Sequence, residues 1–572
     1  MNSYQARTDD MFFVLSRVLD GPAQLQALTP FAEVDAALMQ QVLDEAGKFV
    51  SEVVAPLSRD GDEIGASWND GAVTTPPGFR QAYQAFWQAG WPALSASPAH
   101  GGQGLPSVLE AMLYEMLSAG NHGWTMAPGL LHGAYECIRH HGSDTLQERY
   151  LEKLATGEWL ATMCLTEAHA GSDLGLVRTR AEPLPDGRFA LSGTKIFISG
   201  GEHDLSDNIV HLVLARLPDA PPGPRGLSLF VVPKFEADGT RSAVFCERIE
   251  EKMGLHGSPT CVLRFDAAAA TLVGAPGKGL NAMFVMMNAA RLHVALQGIG
   301  LLDAAWQKAD AYARERRQMR APRTGKGATA PDPIAEHPAI RRILDSQRAW
   351  VDAGRVLAYR TAIELDRIAH GDVQARTQAQ RWCALVTPIM KAVFTHQAFH
   401  GGSDCLQVFG GHGYVREWGI EQIVRDARVA MIYEGTNEIQ AIDLLVRKVL
   451  VDGGQDMLAL LDGLQADVPD AMDTQVQARA RLDTLRDLTA RIVQAAPGDG
   501  ALPYRVADDY LRACALALLD WAWHRIDGGL DASAPDPHAR WQAPGQALRQ
   551  WVLPEFEMRA GIIRRQCEAV TG

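Results

Sequence analysis

The sequence predicts an α+β protein in which a β domain is set among helical regions, and two changes of period carry that prediction. Apolar residues recur at spacings of three and four from about residue 36 to 159, the period becomes two from 160 to 276, and helical periodicity then persists to the end. A chain of 572 residues also exceeds one ordinary core, and its length suggests roughly three to four domains.

Residues 1–35 read as an N-terminal arm, with one amphipathic helix at Asp10–Leu19 and a Gly21-Pro22 break. Residues 36–159 form an N-terminal helical domain, in which Val108–Leu117 and Leu146–Leu154 show the helical period most clearly. In the middle β domain, 160–276, Asp186-Gly187 is a hairpin signal. Phe189, Leu191 and a second short strand at Lys195–Ile198 follow it, then strands at Ile209–Leu214 and Leu227–Val232. Residues 277–452 predict a helical bundle from patterns at Asn281–Gln318, Ala339–His370, Asp372–Phe409 and Asn437–Val451, with a Pro/Gly-rich break at Ala321–Pro333. The last part, 453–572, is an additional helical domain interrupted at Pro497–Pro503. Its Trp521, Trp523 and Trp551 fit a module packed on the bundle or across a dimer.

The formal net charge of −14, without a basic tract, argues against a nucleic-acid partner. No secretory signal pattern opens the chain and no run approaches about 20 uninterrupted apolar residues. A cytoplasmic address is therefore expected, and membrane contact is not. The eight cysteines form no C-x-x-C pair. They read as buried residues of a reducing compartment, with no metal site.

The strongest chemical signal is Ile432-Tyr433-Glu434-Gly435-Thr436-Asn437-Glu438-Ile439-Gln440. Thr436 is a candidate N-cap, with Ile439, Ile442, Val446 and Val449 as the apolar face behind it. Glu434 then stands on a tight connection ahead of a helix. Apolar Met431 and Ile432 would raise its pKa and the helix N-terminus would lower it. A carboxylate so poised suits proton abstraction; a solvated loop glutamate is the competing reading. Leu165–Asp173 and Gln407–Tyr414 carry small residues and glycines that let backbone approach a ligand, an ordinary turn being the competing reading of the first. The second is not a dinucleotide fingerprint, because no βαβ unit surrounds it. Asn288 and Arg291 share a helix face, for which a buried structural pair is the alternative. Arg314–Arg320 reads either as a solvated face or as an anion clamp.

In this order, LTEAHAGSD (165–173), SGTKIFISGG (192–201), EKMGLHGSPT (251–260), LQVFGGHGY (406–414) and RDARVAMIYEGTNEIQ (425–440) resemble the acyl-CoA dehydrogenase family. The likeness spans about residues 40–450, and the arm and tail match longer bacterial members. It implies a β-barrel-like middle domain, a four-helix C-terminal bundle, FAD as cofactor, an acyl-CoA substrate and a role in fatty-acid β-oxidation. An electron-transferring flavoprotein would be the redox partner, and a homo-oligomer, dimer or tetramer, is implied.

Residue by residue, Glu434 matches the family's α-proton base. Met163, Leu165 and Thr166 match one edge of the flavin, and Phe197 and Ser199 the other flank. Ser172 matches a residue touching both flavin and acyl-CoA. Arg316 and Gln318 match pyrophosphate contacts that reach FAD in the partner subunit, and Gln407, Gly410 and Gly411 match contacts to the adenosine end. Thr436 and Glu438 match further FAD neighbours, while Asn288, Arg291 and Gly435 match substrate contacts.

The sequence departs from the pattern at Ala168-His169, where a proline is usual, at Asn288, where aspartate is usual, and at His337-Pro338. Ala321–Glu336 resembles an insertion. The implied reaction is α,β-dehydrogenation to a trans-2-enoyl-CoA. An oxygen-using acyl-CoA oxidase and a non-catalytic scaffold of the same fold are the alternatives.

Overall fold

Residues 4–322, 330–468, 473–530 and 539–571 are described by the computed structural model. The chain divides into two units. One comprises Lys48–Glu110 and Gly120–His293, the other Met1–Gly47, Ala111–Ala119 and Val294–Gly572.

In the first unit, helices α1 (Leu131–His141) and α2 (Asp144–Thr156) precede the β domain. Its strands are β1 (Leu160–Cys164), β2 (Arg180–Pro183), β3 (Phe189–Ser199), β4 (Ile209–Arg216), β5 (Leu227–Pro233), β6 (Val244–Ile249) and β7 (Thr260–Val273). Strands β4, β2, β3, β7 and β5 pair in that order and β5 returns to β4, which closes a five-strand path. Strand β1 adds in parallel to β4, from Leu160 opposite Ile209 to Cys164 opposite Val213, and β6 pairs with β7.

The Asp186-Gly187 turn joins β2 to β3 as expected, with Pro183 opposite Phe189. The two short strands read after it are one strand, irregular between Leu191 and Gly193 and again between Lys195 and Ile198. Strands β4 and β5 do not alternate. Every residue of β5, and all of β4 except Arg216, is buried or nearly so. Continuous apolar runs arise where both strand faces are covered. The core joins Cys164, Leu191, Val213, Phe230, Leu263 and Phe265.

The second unit is helical. Helix α3 (Gly279–Glu315) runs into it and is followed by α4 (Pro338–His370), α5 (Val373–Val408) and α6 (Asn437–Leu444). Helix α3 is the one described helix long and apolar enough to cross a membrane, and 76% of its most apolar window is buried within the protein. Asp372 caps α5 by accepting from the Ala375 N–H at 2.8 Å. Pro388 lies inside α5 and cannot donate to the carbonyl four residues back. Lys448 Nζ donates to that carbonyl, Ala384 O, instead.

The arm is more helical than its Gly-Pro sequence suggested. Asp20 adopts a left-handed conformation and Pro22 opens a second helix, Gly21–Gln26, where a missing N–H costs nothing. Tail helices α7 (Gln455–Ala466), α8 (Asp473–Ala495), α9 (Leu502–Gly529), α10 (Ala539–Ala547) and α11 (Glu555–Thr571) complete the unit. Trp521 and Trp523 are buried as expected, and Trp523 Nε1 donates to Ala349 O at 3.1 Å. Trp551 is exposed in the single chain, with Arg342 over its ring at 5.4 Å.

Candidate active site

Glu434 lies between a single 3-10 turn, Arg428–Met431, and α6. Its φ is 55° and that of Gly435 is 83°. Left-handed backbone at a residue with a Cβ costs about 1–2 kcal/mol, so neighbouring groups must hold it. Gln440 Nε2 donates to Glu434 O at 3.0 Å and to Gly435 O at 3.2 Å. Lys391 Nζ, from buried α5, donates to Gly435 O at 2.7 Å and to Asn437 Oδ1 at 3.1 Å. Asn437 is anchored in turn by its Nδ2, which donates to Ala392 O at 3.0 Å.

Thr436 is the N-cap, accepting from the Ile439 N–H at 3.3 Å. Glu438 is exposed, and its own backbone N–H and the Thr436 hydroxyl hold its carboxyl below the usual range. Tyr433, just before the base candidate, donates its phenol proton to Gln297 Oε1.

The predicted apolar face of α6 is displaced. Gln440, Ala441, Leu444 and Leu445 are buried, whereas Ile439, Ile442 and Val446 are half-buried; Val449 is buried as expected. Helix α6 packs against both α5 and the tail helix α9, and this second cover rotates the buried face. The tail's packing was not readable from the α6 pattern alone.

Elsewhere in the helical unit, Arg316 and Gln318 are exposed just beyond the end of α3. Their backbone is fixed by Gln318 N–H to Asp332 O at 3.1 Å and Ile334 N–H to Arg316 O at 2.7 Å. The Arg314–Arg320 run divides by position. Arg314 pairs with Asp310 and Arg320 with Asp332, leaving Arg316 outward. His337 lies against Gln318 O at 2.9 Å. Gln407, Gly410 and Gly411 are exposed at the end of α5, and a Cβ on either glycine would meet open space. Gly413 differs: a Cβ there would lie 2.5 Å from Leu406 O, so this glycine serves the chain's own packing and not a ligand. Tyr312 links the two segments. It accepts the Arg316 N–H at 2.8 Å and stacks on Phe409 at 4.3 Å.

In the other unit, the Ile196 N–H donates to Thr166 O at 2.9 Å, which brings the 163–166 and 197–199 segments side by side. Below them Lys195, fully buried, donates to Leu165 O at 3.0 Å and to Glu167 Oε1 at 2.9 Å. Burial drives the Lys195 pKa down. Glu167 is held below its usual range despite its own burial, by Lys195, the Thr179 hydroxyl and the Arg178 and Thr179 N–H groups. His169, beside Ala168 where a proline was expected, contacts Leu176 O at 3.1 Å. Met163, Thr166 and Ser199 are half-exposed, Leu165 is 9% exposed, and Phe197 is 60% exposed with φ 60°. Ser172 is exposed on the following turn and Arg291 is buried. The side chain of Asn288 lies outside the described residues.

These residue types fit the two ends of FAD. An outward aromatic ring beside half-exposed hydroxyls and a backbone edge suits a flat heterocycle. An exposed arginine and open glycine backbone, on segments joined through Tyr312, suit a pyrophosphate and adenosine. The residues missed by sequence reasoning are Lys391, Gln440, Asn437 and the Lys195–Glu167 pair. Lys391 and Asn437, like Lys195 and Glu167, meet across long sequence separations that no local pattern joins, and Gln440, though near the turn, carries no signal that its amide folds back under it.

Comparison with known proteins gives the same answer along most of the chain. Models of the acyl-CoA dehydrogenase N-terminal, middle and C-terminal domains match residues 38–158, 162–268 and 277–449. A 3-methylmercaptopropionyl-CoA dehydrogenase of Ruegeria pomeroyi is 44% identical over 472 residues, covering 81% of this chain and 80% of that protein. A broad-specificity linear acyl-CoA dehydrogenase of Mycobacterium tuberculosis is 33% identical, covering 88% and 83%. In fold, the chain matches an acyl-CoA dehydrogenase from Bacillus anthracis solved with FAD, at TM-score 0.75 and 20% identity, covering 94% and 92%. By its domain models and by its likeness to curated relatives over most of their length, the chain belongs to the acyl-CoA dehydrogenase family.

Proposed function

We propose that this FAD-dependent acyl-CoA dehydrogenase uses Glu434 to remove the α-proton of an acyl-CoA thioester, giving a trans-2-enoyl-CoA. The observation that carries the reading is the left-handed Glu434–Gly435 turn, held by Gln440 and Lys391 beneath it. A base must be presented in one orientation, and a backbone held in a costly conformation does that.

An α-proton is weakly acidic, so the thioester oxygen needs a hydrogen bond as charge develops on it. The Glu434 backbone N–H supplies one, worth about 3 kcal/mol to the transition state. General-base action contributes on the order of 10²–10⁴ in rate. FAD, when bound, accepts the hydride lost from Cβ. Arg316 and Gln318 would reach the pyrophosphate of FAD in the partner subunit, and Gln407, Gly410 and Gly411 would meet the adenosine end. Met163, Leu165, Thr166, Phe197 and Ser199 flank the flavin, Thr436 and Glu438 are further neighbours, and Ser172, Arg291 and Gly435 contact substrate. An electron-transferring flavoprotein receives the electrons from a homo-oligomeric enzyme.

Glu434→Gln keeps FAD, read from flavin absorbance, and keeps acyl-CoA binding, but loses turnover with an artificial electron acceptor by at least about 10²-fold. Turnover close to that of the unaltered protein would remove Glu434 from the mechanism. The same assay across acyl-CoAs of graded length, with 3-methylmercaptopropionyl-CoA included because a relative is named for it, assigns the substrate. Hydrogen peroxide formed stoichiometrically under air would replace the flavoprotein acceptor with oxygen.

A further inference from the structure

The turn that carries Glu434 has two consecutive left-handed residues, and only the second is glycine. The carbonyls of both accept from buried side chains, Glu434 O from Gln440 and Gly435 O from Gln440 and Lys391. Gln440 is 0% exposed and spans both oxygens through one nitrogen, while Lys391, also 0% exposed, takes the second. A trans peptide holds its N–H opposite its C=O. Drawing these two carbonyls inward therefore turns the N–H groups of Gly435 and Thr436 the other way. The arrangement is not one that packing alone would select. Gln440 Oε1 is buried without a hydrogen-bond partner among the described residues, and a buried ammonium carries a desolvation cost of its own. The chain retains both where their donors meet the backbone of a single turn.

We infer that Lys391 and Gln440 are positioning residues for the reaction: they hold the Glu434–Gly435 turn left-handed, and so fix where the Glu434 carboxylate is presented. This rests on the reading of Glu434 as the base. Asn437 belongs to the same device. Its Oδ1 accepts from Lys391 and from Thr395 Oγ1 at 3.2 Å, which keeps the ammonium under the turn. Without the clamp, Glu434 relaxes toward right-handed or extended backbone, which most residues prefer, and the carboxylate leaves its place while the site still binds substrate.

The test uses the FAD-loaded enzyme and four variants, Lys391→Met, Lys391→Arg, Gln440→Leu and Glu434→Gln, with the double variant Glu434→Gln/Lys391→Met. Four quantities are read: flavin content, KM, kcat, and exchange of the substrate α-hydrogen in deuterated water. Lys391→Met and Gln440→Leu are expected to keep flavin and a KM within about threefold, while kcat and α-exchange fall together by at least tenfold. Lys391→Arg, which retains a donor, recovers part of that loss. Because the clamp acts only through the carboxylate, Lys391→Met adds nothing to Glu434→Gln in the double variant; a general structural role would add its own loss.

Unchanged kcat and α-exchange in both clamp variants, with Glu434→Gln inactive, would overturn the positioning role and leave the base reading intact. An active Glu434→Gln would instead overturn the base reading. Should Lys391→Met fail to fold, Gln440→Leu decides by the same two quantities.

Discussion

Glu110 and His132 show how one buried contact sets a pH range. Glu110 Oε2 lies 3.0 Å from His132 Nδ1 and also accepts from Ser95 Oγ. Burial opposes the Glu110 charge, but His132, with smaller contributions from His293 and Ser95, overcomes it and brings the carboxyl down to about 2 from 4.5. Burial likewise opposes the His132 charge, and Glu110 overcomes it, raising the imidazole from 6.5 to about 9. The histidine's contribution to stability is full below its unfolded value and is lost as pH rises through 9. That of the glutamate is full above 4.5 and is lost as pH falls through 2. His132→Gln should therefore lower the melting temperature most near pH 5–6, and the deficit should shrink toward pH 9–10. A deficit independent of pH would mean the pair is held by packing alone. Single residues were legible where their neighbours in sequence carried the signal. Glu434 stood out because an apolar run, a glycine and a capping threonine surround it. The left-handed φ at the glutamate itself was not readable, since glycine normally takes that conformation and here both residues do.

Among the elements, the α6 start was the most readable, because a threonine cap acts within three residues. Thr436→Ala removes the acceptor of the Ile439 N–H and should cost about 1 kcal/mol, measured by urea denaturation of the FAD-free protein. The β2–β3 hairpin was readable for the same reason, its turn chemistry being local. The buried face of α6 was not, because a tail helix more than fifty residues further along covers it. Strands β4 and β5 gave a related difficulty. Alternation marks a sheet with one wet face, and these strands have none, so the period of two that marked out the β domain does not describe their burial. Pro388 would ordinarily argue against a helix as long as Val373–Val408. The lysine that satisfies the stranded carbonyl comes from beyond the next helix, where local reading cannot find it.

Across the whole helical unit, arm, bundle and tail meet at a buried ionic network. Arg348 binds Asp10 of the arm at 2.7 Å and Asp303 of α3 at 3.0 Å. Arg540 of the tail binds Asp10 at 2.9 Å and Asp352 of α4 at 2.7 Å. Arg355, wholly buried, pairs with Glu115 at 2.7 Å and Asp303 at 3.1 Å, and Tyr359 donates to the other Glu115 oxygen at 2.6 Å. Removing one member of such a network leaves charge without compensation, so Arg355→Met should lower unfolding free energy by about 3–5 kcal/mol. A change below 1 kcal/mol, read by chemical denaturation, would mean that water replaces the guanidinium. The order of helical and β regions followed from two changes of period along the chain. That the first residues and the last helices share one ionic cluster did not, since composition carries no record of which distant charges meet.

That cluster also bears on how the polypeptide is made. Asp10 leaves the ribosome early, and its partner Arg540 follows 530 residues later. Domains generally fold as they emerge, N-terminal first, so the leading segment spends nearly the whole of translation with its ionic contacts incomplete. Nascent chains stalled before residue 540 should therefore be cut by proteases near their N-terminus, and released full-length chains should resist.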